Sequence, residues 1–346
     1  MTNNTALNID IQEFADSFKF TQQVKDTVFL ITGATGLIGS TLCRCLLSLE
    51  CGIKIIAPVR NIQKAKSLFT HTTEHIEFID YSVIGNLEQI DKKIDYIIHC
   101  ASPTDGTYMV THPVETFELS LDTMRNILTY SKNKATQSIL YISSIEYYGQ
   151  NYNDEPISED FLGYIDYNSA RSSYPLSKRA TEFLCKSYAQ EYDIPIKIAR
   201  LTQTFGAGVS SDDNRVFAQF ARSIIQNKDI ELHTTGNSAK PYCYTTDCIN
   251  AILHILLLGK KGEAYNVANS STYISIKNLA IFLKDNFNPH INISINIPET
   301  SHYAPETKLN LDTTKLAQLG WKAKYDLKEM YKRLIYSIKH RNIEQE

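Results

Sequence analysis

Three side chains in this 346-residue sequence have the types and spacing to move a proton and a hydride: Ser144, Tyr174 and Lys178. Tyr174 and Lys178 stand at i and i+4, positions that share one face of a helix, so they project together. A lysine ammonium nearby lowers the pKa of a phenol, and a serine hydroxyl can hold a reacting carbonyl. This is the chemistry of a tyrosine base working beside a nicotinamide.

Such a trio needs a dinucleotide and a frame, and the sequence supplies signals for both. Val28-Phe29-Leu30-Ile31-Thr32 runs straight into Gly33-Ala34-Thr35-Gly36-Leu37-Ile38-Gly39, and residues 41–49 continue at helical period. That pattern spells a buried parallel strand, a tight turn and a helix. The backbone from Gly33 through Thr35, Gly36, Leu37 and Ile38 to Gly39 is therefore expected to cradle a pyrophosphate at the helix N-terminus. Glycines alone mark only a turn; the strand-to-helix context carries the reading.

Further strands are expected at residues 53–59, 75–79, 95–99 and 138–142, with a helix over 113–131. Strands alternating with helices of this length imply right-handed crossovers and a doubly wound parallel α/β sheet covered on both faces. A dinucleotide fold normally ends its second strand in an acid that binds the adenosine ribose, but here the residues are Val59-Arg60-Asn61. Arg60 can pair with a 2′-phosphate or simply be solvated, so both NAD and NADP stay open as cofactor. Asp80 is placed to approach an adenine edge, and Ala101, after the fourth strand, allows close backbone approach to the cofactor.

Composition excludes several classes. The net charge of -3 gives no sign of a nucleic-acid or membrane surface, and no apolar run approaches the ~18 residues of a membrane span. Seven cysteines lack C-x-x-C pairs and read as reduced thiols, while nine histidines form no cluster, so no metal site is expected. Residues 1–23 are polar without a signal-peptide pattern, which places the expected protein in the cytoplasm.

Glycine turn, strand-end serine and Tyr-x-x-x-Lys, in this order, resemble the extended short-chain dehydrogenase/reductases that modify nucleotide sugars. Arg171-Ser172-Ser173-Tyr174, Ser177-Lys178-Arg179-Ala180-Thr181-Glu182 and Asp213-Asn214-Arg215-Val216-Phe217 look most like the UDP-glucuronate decarboxylase, dTDP-glucose 4,6-dehydratase and epimerase branch. The resemblance implies oxidation of a sugar hydroxyl, usually at C4, with Tyr174 taking the proton. It implies a catalytic Glu146, which otherwise reads as a salt-bridged loop acid. It also implies substrate contacts from Ser102, Ser144, Gln203, Arg215, Lys240 and Lys308.

Departures from the branch are equally informative. Where dehydratases carry a general-acid Asp, this chain has Ile145, which cannot donate a proton. Lys240 and Lys308 stand where relatives carry arginines for the diphosphate and the substrate carboxylate, and lysine keeps the charge without the bidentate fork. The expected activity is epimerisation or decarboxylation of a nucleotide-diphosphate sugar through a 4-keto intermediate, for surface-polysaccharide precursors. The alternatives are an NADPH-dependent reductase of a 4-keto sugar and a non-catalytic dinucleotide-binding protein. The expected organisation is a leader over 1–24, a dinucleotide-binding (Rossmann) domain over 25–204 to which 243–267 return, and a substrate lobe from 205–242 and 268–346. Helices over 111–131 and 177–192 would pair in a homodimer four-helix bundle, as the resemblance implies.

Overall fold

A computed structural model describes residues 6–69, 74–103, 105–298 and 306–343 of the chain. Among them the strands are, in chain order, β1 (Val28–Thr32), β2 (Lys54–Val59), β3 (Ile76–Asp80), β4 (Tyr96–His99), β5 (Ser138–Ser144) and β6 (Ile196–Leu201). They continue with β7 (Gln203–Phe205), β8 (Ile230–Leu232), β9 (Ala239–Tyr244), β10 (Ala264–Val267), β11 (Asn269–Ser275) and β12 (Ile293–Ile295). The helices that matter here are α1 (Ala6–Ser17), α2 (Leu37–Leu47), α3 (Pro113–Asn133) and α4 (Ser173–Glu191). After these come α5 (Val216–Gln226), α6 (Thr245–Leu258), α7 (Ile276–Phe287) and α8 (Leu327–Ile343).

The main sheet has seven parallel strands in the order β3-β2-β1-β4-β5-β6-β10. Strands β1, β2 and β4 are apolar along most of their length because each face has its own core. Phe29, Ile31, Ile55, Ile98 and Leu140 pack on one side with Cys43 and Leu46 of α2 and Ile249 and Leu253 of α6. Leu30, Ile56, Ile97, Ile139 and Tyr141 pack on the other with Met124 and Ile127 of α3 and Cys185 and Ala189 of α4. Side chains alternate across a strand, so a two-sided core demands an uninterrupted apolar run. Strand order reverses between β1 and β4, and the crevice beyond their carboxyl ends is where such sheets take ligands.

A second core joins β7, α5, β8, β9, α7 and α8, centred on Phe205 stacked on Phe217 at 4.8 Å. Its strands form a three-stranded sheet, β11-β9-β7, and a two-stranded one, β12-β8.

Several elements differ from expectation. The helix expected over 111–131 is broken at His112, because Pro113 brings no N–H and opens a new helix. Within the returning segment 243–267, α6 begins directly after β9 at Thr245, with Asp247 in its first turn. Residues 6–24, expected within a leader, are packed into the body: Phe14, Phe18 and Val24 join the main core. Asp10, 1% exposed, accepts hydrogen bonds from Tyr244 at 2.5 Å and Arg333 at 2.5 Å. Glu13 pairs with Arg333 and Lys324 and accepts from the Tyr325 hydroxyl. Against the burial that would raise it, those three donors hold the Glu13 carboxyl at about 2. No helix among the described residues is long and apolar enough to cross a membrane.

Candidate active site

Strand β5 delivers the serine. Ser144 ends it and caps the short 3-10 turn Ile145–Tyr148, its hydroxyl accepting from the Glu146 N–H at 3.2 Å. Helix α4 delivers the other two groups. Tyr174 and Lys178 lie on its buried face at 9% and 1% exposure, and the Lys178 ammonium donates to the Ile142 carbonyl of β5 at 3.0 Å. Serine, tyrosine and lysine are thus gathered at the carboxyl end of one strand.

The expected depression of the phenol pKa by lysine is not what the geometry gives. Burial, reinforced by the Glu146 carboxylate, pushes the Tyr174 phenol up to about 12, against the Ser144 and Ser102 hydroxyls and the Arg171 charge that pull it down. The Lys178 ammonium lies 5.4 Å from the phenol ring centre and is committed to the Ile142 carbonyl. Burial also pulls Lys178 down to about 8, with Glu182 opposing. Tyr174 therefore holds its proton at neutral pH. To act as a base, it needs positive charge beside the phenolate, which Lys178 and Arg171, 5.9 Å from the ring, can supply.

Glu146 is not free. Arg171, in the turn Ala170–Ser172 just before α4, reaches its two carboxylate oxygens at 2.9 and 2.8 Å. Arg171 is a site residue that motif reading quoted but gave no role.

Behind the trio sits a second group missed from sequence. Arg200 and Glu182, 0% and 1% exposed, form a salt bridge in which guanidinium nitrogens reach both carboxylate oxygens at 2.7 to 3.1 Å. Ser143 donates to Glu182 at 2.5 Å, and Arg200 also donates to the Tyr148 hydroxyl and the Glu159 carbonyl. Glu182 lies one turn beyond Lys178, and Ser143 precedes Ser144, so the network ties α4 to β5 directly beneath the chemistry. The available signal was an arginine inside the buried strand β6, which implies a buried acid nearby.

The glycine turn tests the dinucleotide expectation. Gly33 has φ +71°, and a Cβ on it would lie 2.8 Å from the Ala101 nitrogen; one on Gly39 would lie 2.1 Å from the Gly33 carbonyl. Both glycines are required by the chain itself. Gly36 is different: it is exposed, caps α2 with no side-chain hydrogen bond, and its Cβ would meet only the Gly33 oxygen at 3.5 Å. An open helix N-terminus with a glycine that no intramolecular contact demands fits a pyrophosphate approaching the backbone around Thr35, Leu37 and Ile38. Gly36→Ala is accordingly expected to leave stability unchanged within about 0.5 kcal/mol yet abolish the rise in Tm on adding NAD. Gly39→Ala should lower Tm even without ligand, by about 1–3 kcal/mol of overpacking.

Around the turn, the Thr32 hydroxyl accepts from the Ala101 N–H at 3.1 Å and contacts His99 Nδ1 at 2.7 Å, fixing the loop after β4. Burial, with Lys178 adding, pulls His99 down to about 3, so it is neutral. Ser102 is half-buried with its hydroxyl oxygen shielded from solvent, and that hydroxyl faces Tyr174. Arg60 is exposed at the end of β2, and Asp80, paired in register with Val59, turns its carboxylate onto the Ser82 N–H and hydroxyl.

On the substrate side, Gln203 opens β7 opposite Tyr242, two residues from Lys240 on β9. Arg215 caps α5 and pairs with Asp213 at 2.5 Å. Burial lowers the Lys240 pKa, with Glu146 opposing and Arg215 and Arg171 adding to the decrease, so the charges of all three are felt at Lys240. Lys308 bridges to Ala239 beside Lys240, and its ammonium pairs with Asp154 at 2.6 Å. Surface depressions of about 370 Å³ beside Trp321 and 420 Å³ beside Phe161 contain none of these residues and take no part. No group of three or more metal-ligating side chains occurs among the described residues.

The model of the NAD dependent epimerase/dehydratase family matches residues 29–268. The chain belongs to that family. Among curated relatives, UDP-glucuronic acid decarboxylase 3 of Arabidopsis thaliana is 26% identical over 309 residues, spanning 87% of this chain and 85% of the relative. UDP-glucuronic acid decarboxylase 1 of Danio rerio is 24% identical, spanning 90% and 72%. Among solved structures, UDP-glucuronic acid 4-epimerase from Bacillus cereus, bound to UDP-glucuronic acid and NAD, superposes with a TM-score of 0.76 at 21% identity. It covers 91% of this chain and 100% of that one. The shared architecture is the extended short-chain dehydrogenase/reductase fold.

Proposed function

We propose that this family member binds NAD, oxidises the C4 hydroxyl of a nucleotide-diphosphate uronate, and then decarboxylates or epimerises the sugar through its 4-keto form. The observation that carries the reading is the gathering of Ser144, Tyr174 and Lys178 at the carboxyl end of β5, with the Arg171–Glu146 pair beside them. A dinucleotide held at the Gly33–Gly39 turn would supply a hydride acceptor for C4 and the same hydride for its return, giving a cycle with no net redox change. Tyr174 takes the hydroxyl proton, Ser144 holds the oxygen that becomes the ketone, and Lys178 and Arg171 support the phenolate. The ketone acidifies C5–H; with a C5 carboxylate present, it instead accepts the electron pair of the breaking C5–CO2 bond. Ile145, 7% exposed, provides no acid for expelling water, which argues against dehydration. The curated relatives named for UDP-glucuronic acid decarboxylation support the same substrate class.

Incubation with UDP-glucuronate tests this reading: chromatography of the products is expected to show UDP-pentose with release of CO2, or the 4-epimer, with no added cofactor consumed. Return of unchanged substrate would sink it. A second reading, NADPH-dependent reduction of a 4-keto sugar, is favoured by Arg60 standing where a ribose-binding acid is usual; stoichiometric loss of NADPH would select it. We also assign the outer face of α3 and α4, with Val114 60% and Phe183 74% exposed, to a homodimer contact.

A further inference from the structure

The site holds more positive groups than a diphosphate and a phenolate require, and their partners differ. Lys308, at the position that resemblance gives to the substrate carboxylate, is neutralised: Asp154 pairs with it at 2.6 Å and also accepts from Tyr273 at 2.8 Å. Arg215 is engaged by Asp213. Lys240 has no carboxylate within ion-pair distance among the described residues and remains for the diphosphate. Among the described residues Arg171 is bonded to Glu146 through Nη2 alone, leaving the N–H groups of Nε and Nη1. Its side chain is 34% exposed, and its guanidinium carbon lies 5.9 Å from the ring centre of Tyr174. A sugar whose C4 hydroxyl meets the Tyr174 phenol at hydrogen-bond distance, about 3 Å, carries its carboxyl carbon two bonds from C4, and Arg171 is a cation packed against that same phenol ring.

We infer that Arg171 is the residue that selects a carboxylated sugar: in the free protein it clasps Glu146, and on binding it offers its remaining N–H groups to the C5 carboxylate of a nucleotide uronate. The inference rests on the reading under Proposed function. A planar guanidinium can hold two carboxylates at once, on different edges, which an ammonium does less well. Glu146 then competes with the substrate for the same cation, and the site distinguishes a uronate from a neutral hexose by charge at this one place.

The test is equilibrium binding of UDP-glucuronate and UDP-glucose to the full-length, dinucleotide-loaded protein carrying Tyr174→Phe, which stops turnover. Adding Arg171→Ala is expected to weaken UDP-glucuronate by about 10- to 100-fold, the span of a charge-assisted hydrogen bond, and to leave UDP-glucose within about twofold. Arg171→Lys should fall between. Glu146→Gln should tighten UDP-glucuronate, and that gain should disappear in the Arg171→Ala background. Lys308→Ala should not discriminate between the two sugars. Equal weakening of both sugars by Arg171→Ala, with retained dinucleotide and an unchanged Tm, would make Arg171 merely structural and overturn the inference. So would unchanged uronate binding, or a selective loss in Lys308→Ala. Failure of UDP-glucuronate to bind before Arg171 is changed would overturn the functional reading and the inference together.

Discussion

Tyr174→Phe is expected to lower kcat by at least about 10³-fold, near the upper range for loss of a positioned acid–base group, while dinucleotide retention and Tm stay close to those of the unsubstituted protein. The substitution removes one oxygen from a ring that is 9% exposed and leaves the packing of α4 intact. What is lost is the proton carrier at the point where the Ser144 and Ser102 hydroxyls converge. Single-turnover measurement of nicotinamide absorbance separates this from a later defect: the variant should fail to accumulate any reduced cofactor when given substrate. If Glu146 were the base for the first step, reduction would persist in Tyr174→Phe and vanish in Glu146→Gln. The salt bridge from Arg171 already makes Glu146 the weaker candidate for that step.

Arg200→Met is expected to cost about 3–5 kcal/mol of stability, the range for removing one partner of a buried ion pair. Glu182 would be left 1% exposed without its cation, and Ser143 alone could not satisfy it. Urea denaturation of the variant should show a lower midpoint with an unchanged slope. The double variant Arg200→Met with Glu182→Met should recover much of the loss, since two apolar groups leave no charge stranded. Recovery of stability without recovery of activity would show that the pair's role is to hold β5 and α4 in register beneath Tyr174.

What could be read from the sequence was local. The opening strand, the glycine turn and the helix after it are contiguous, so period and turn chemistry were enough to place them, and Tyr174 with Lys178 needed only helical spacing. The family resemblance supplied the order of parts. The reading failed where partners lie far apart in the chain. Asp10 finds Arg333 across 323 positions, and Lys308 finds Asp154 across 154, and neither pairing leaves a local pattern. The lysine effect on Tyr174 was misjudged for a different reason: burial costs are set by the whole surroundings of a group, and spacing along one helix does not reveal them.

The pairing of Asp10 with Arg333 has a consequence for how the molecule is made. Helix α1 is held by the Arg333 side chain of α8, so its buried carboxylate has no cation until α8 has been synthesised. An unpaired acid in an apolar setting is costly, so α1 cannot settle early, however soon it is synthesised. Helix α1 is therefore expected to dock late, once α8 is in place to receive its carboxylate.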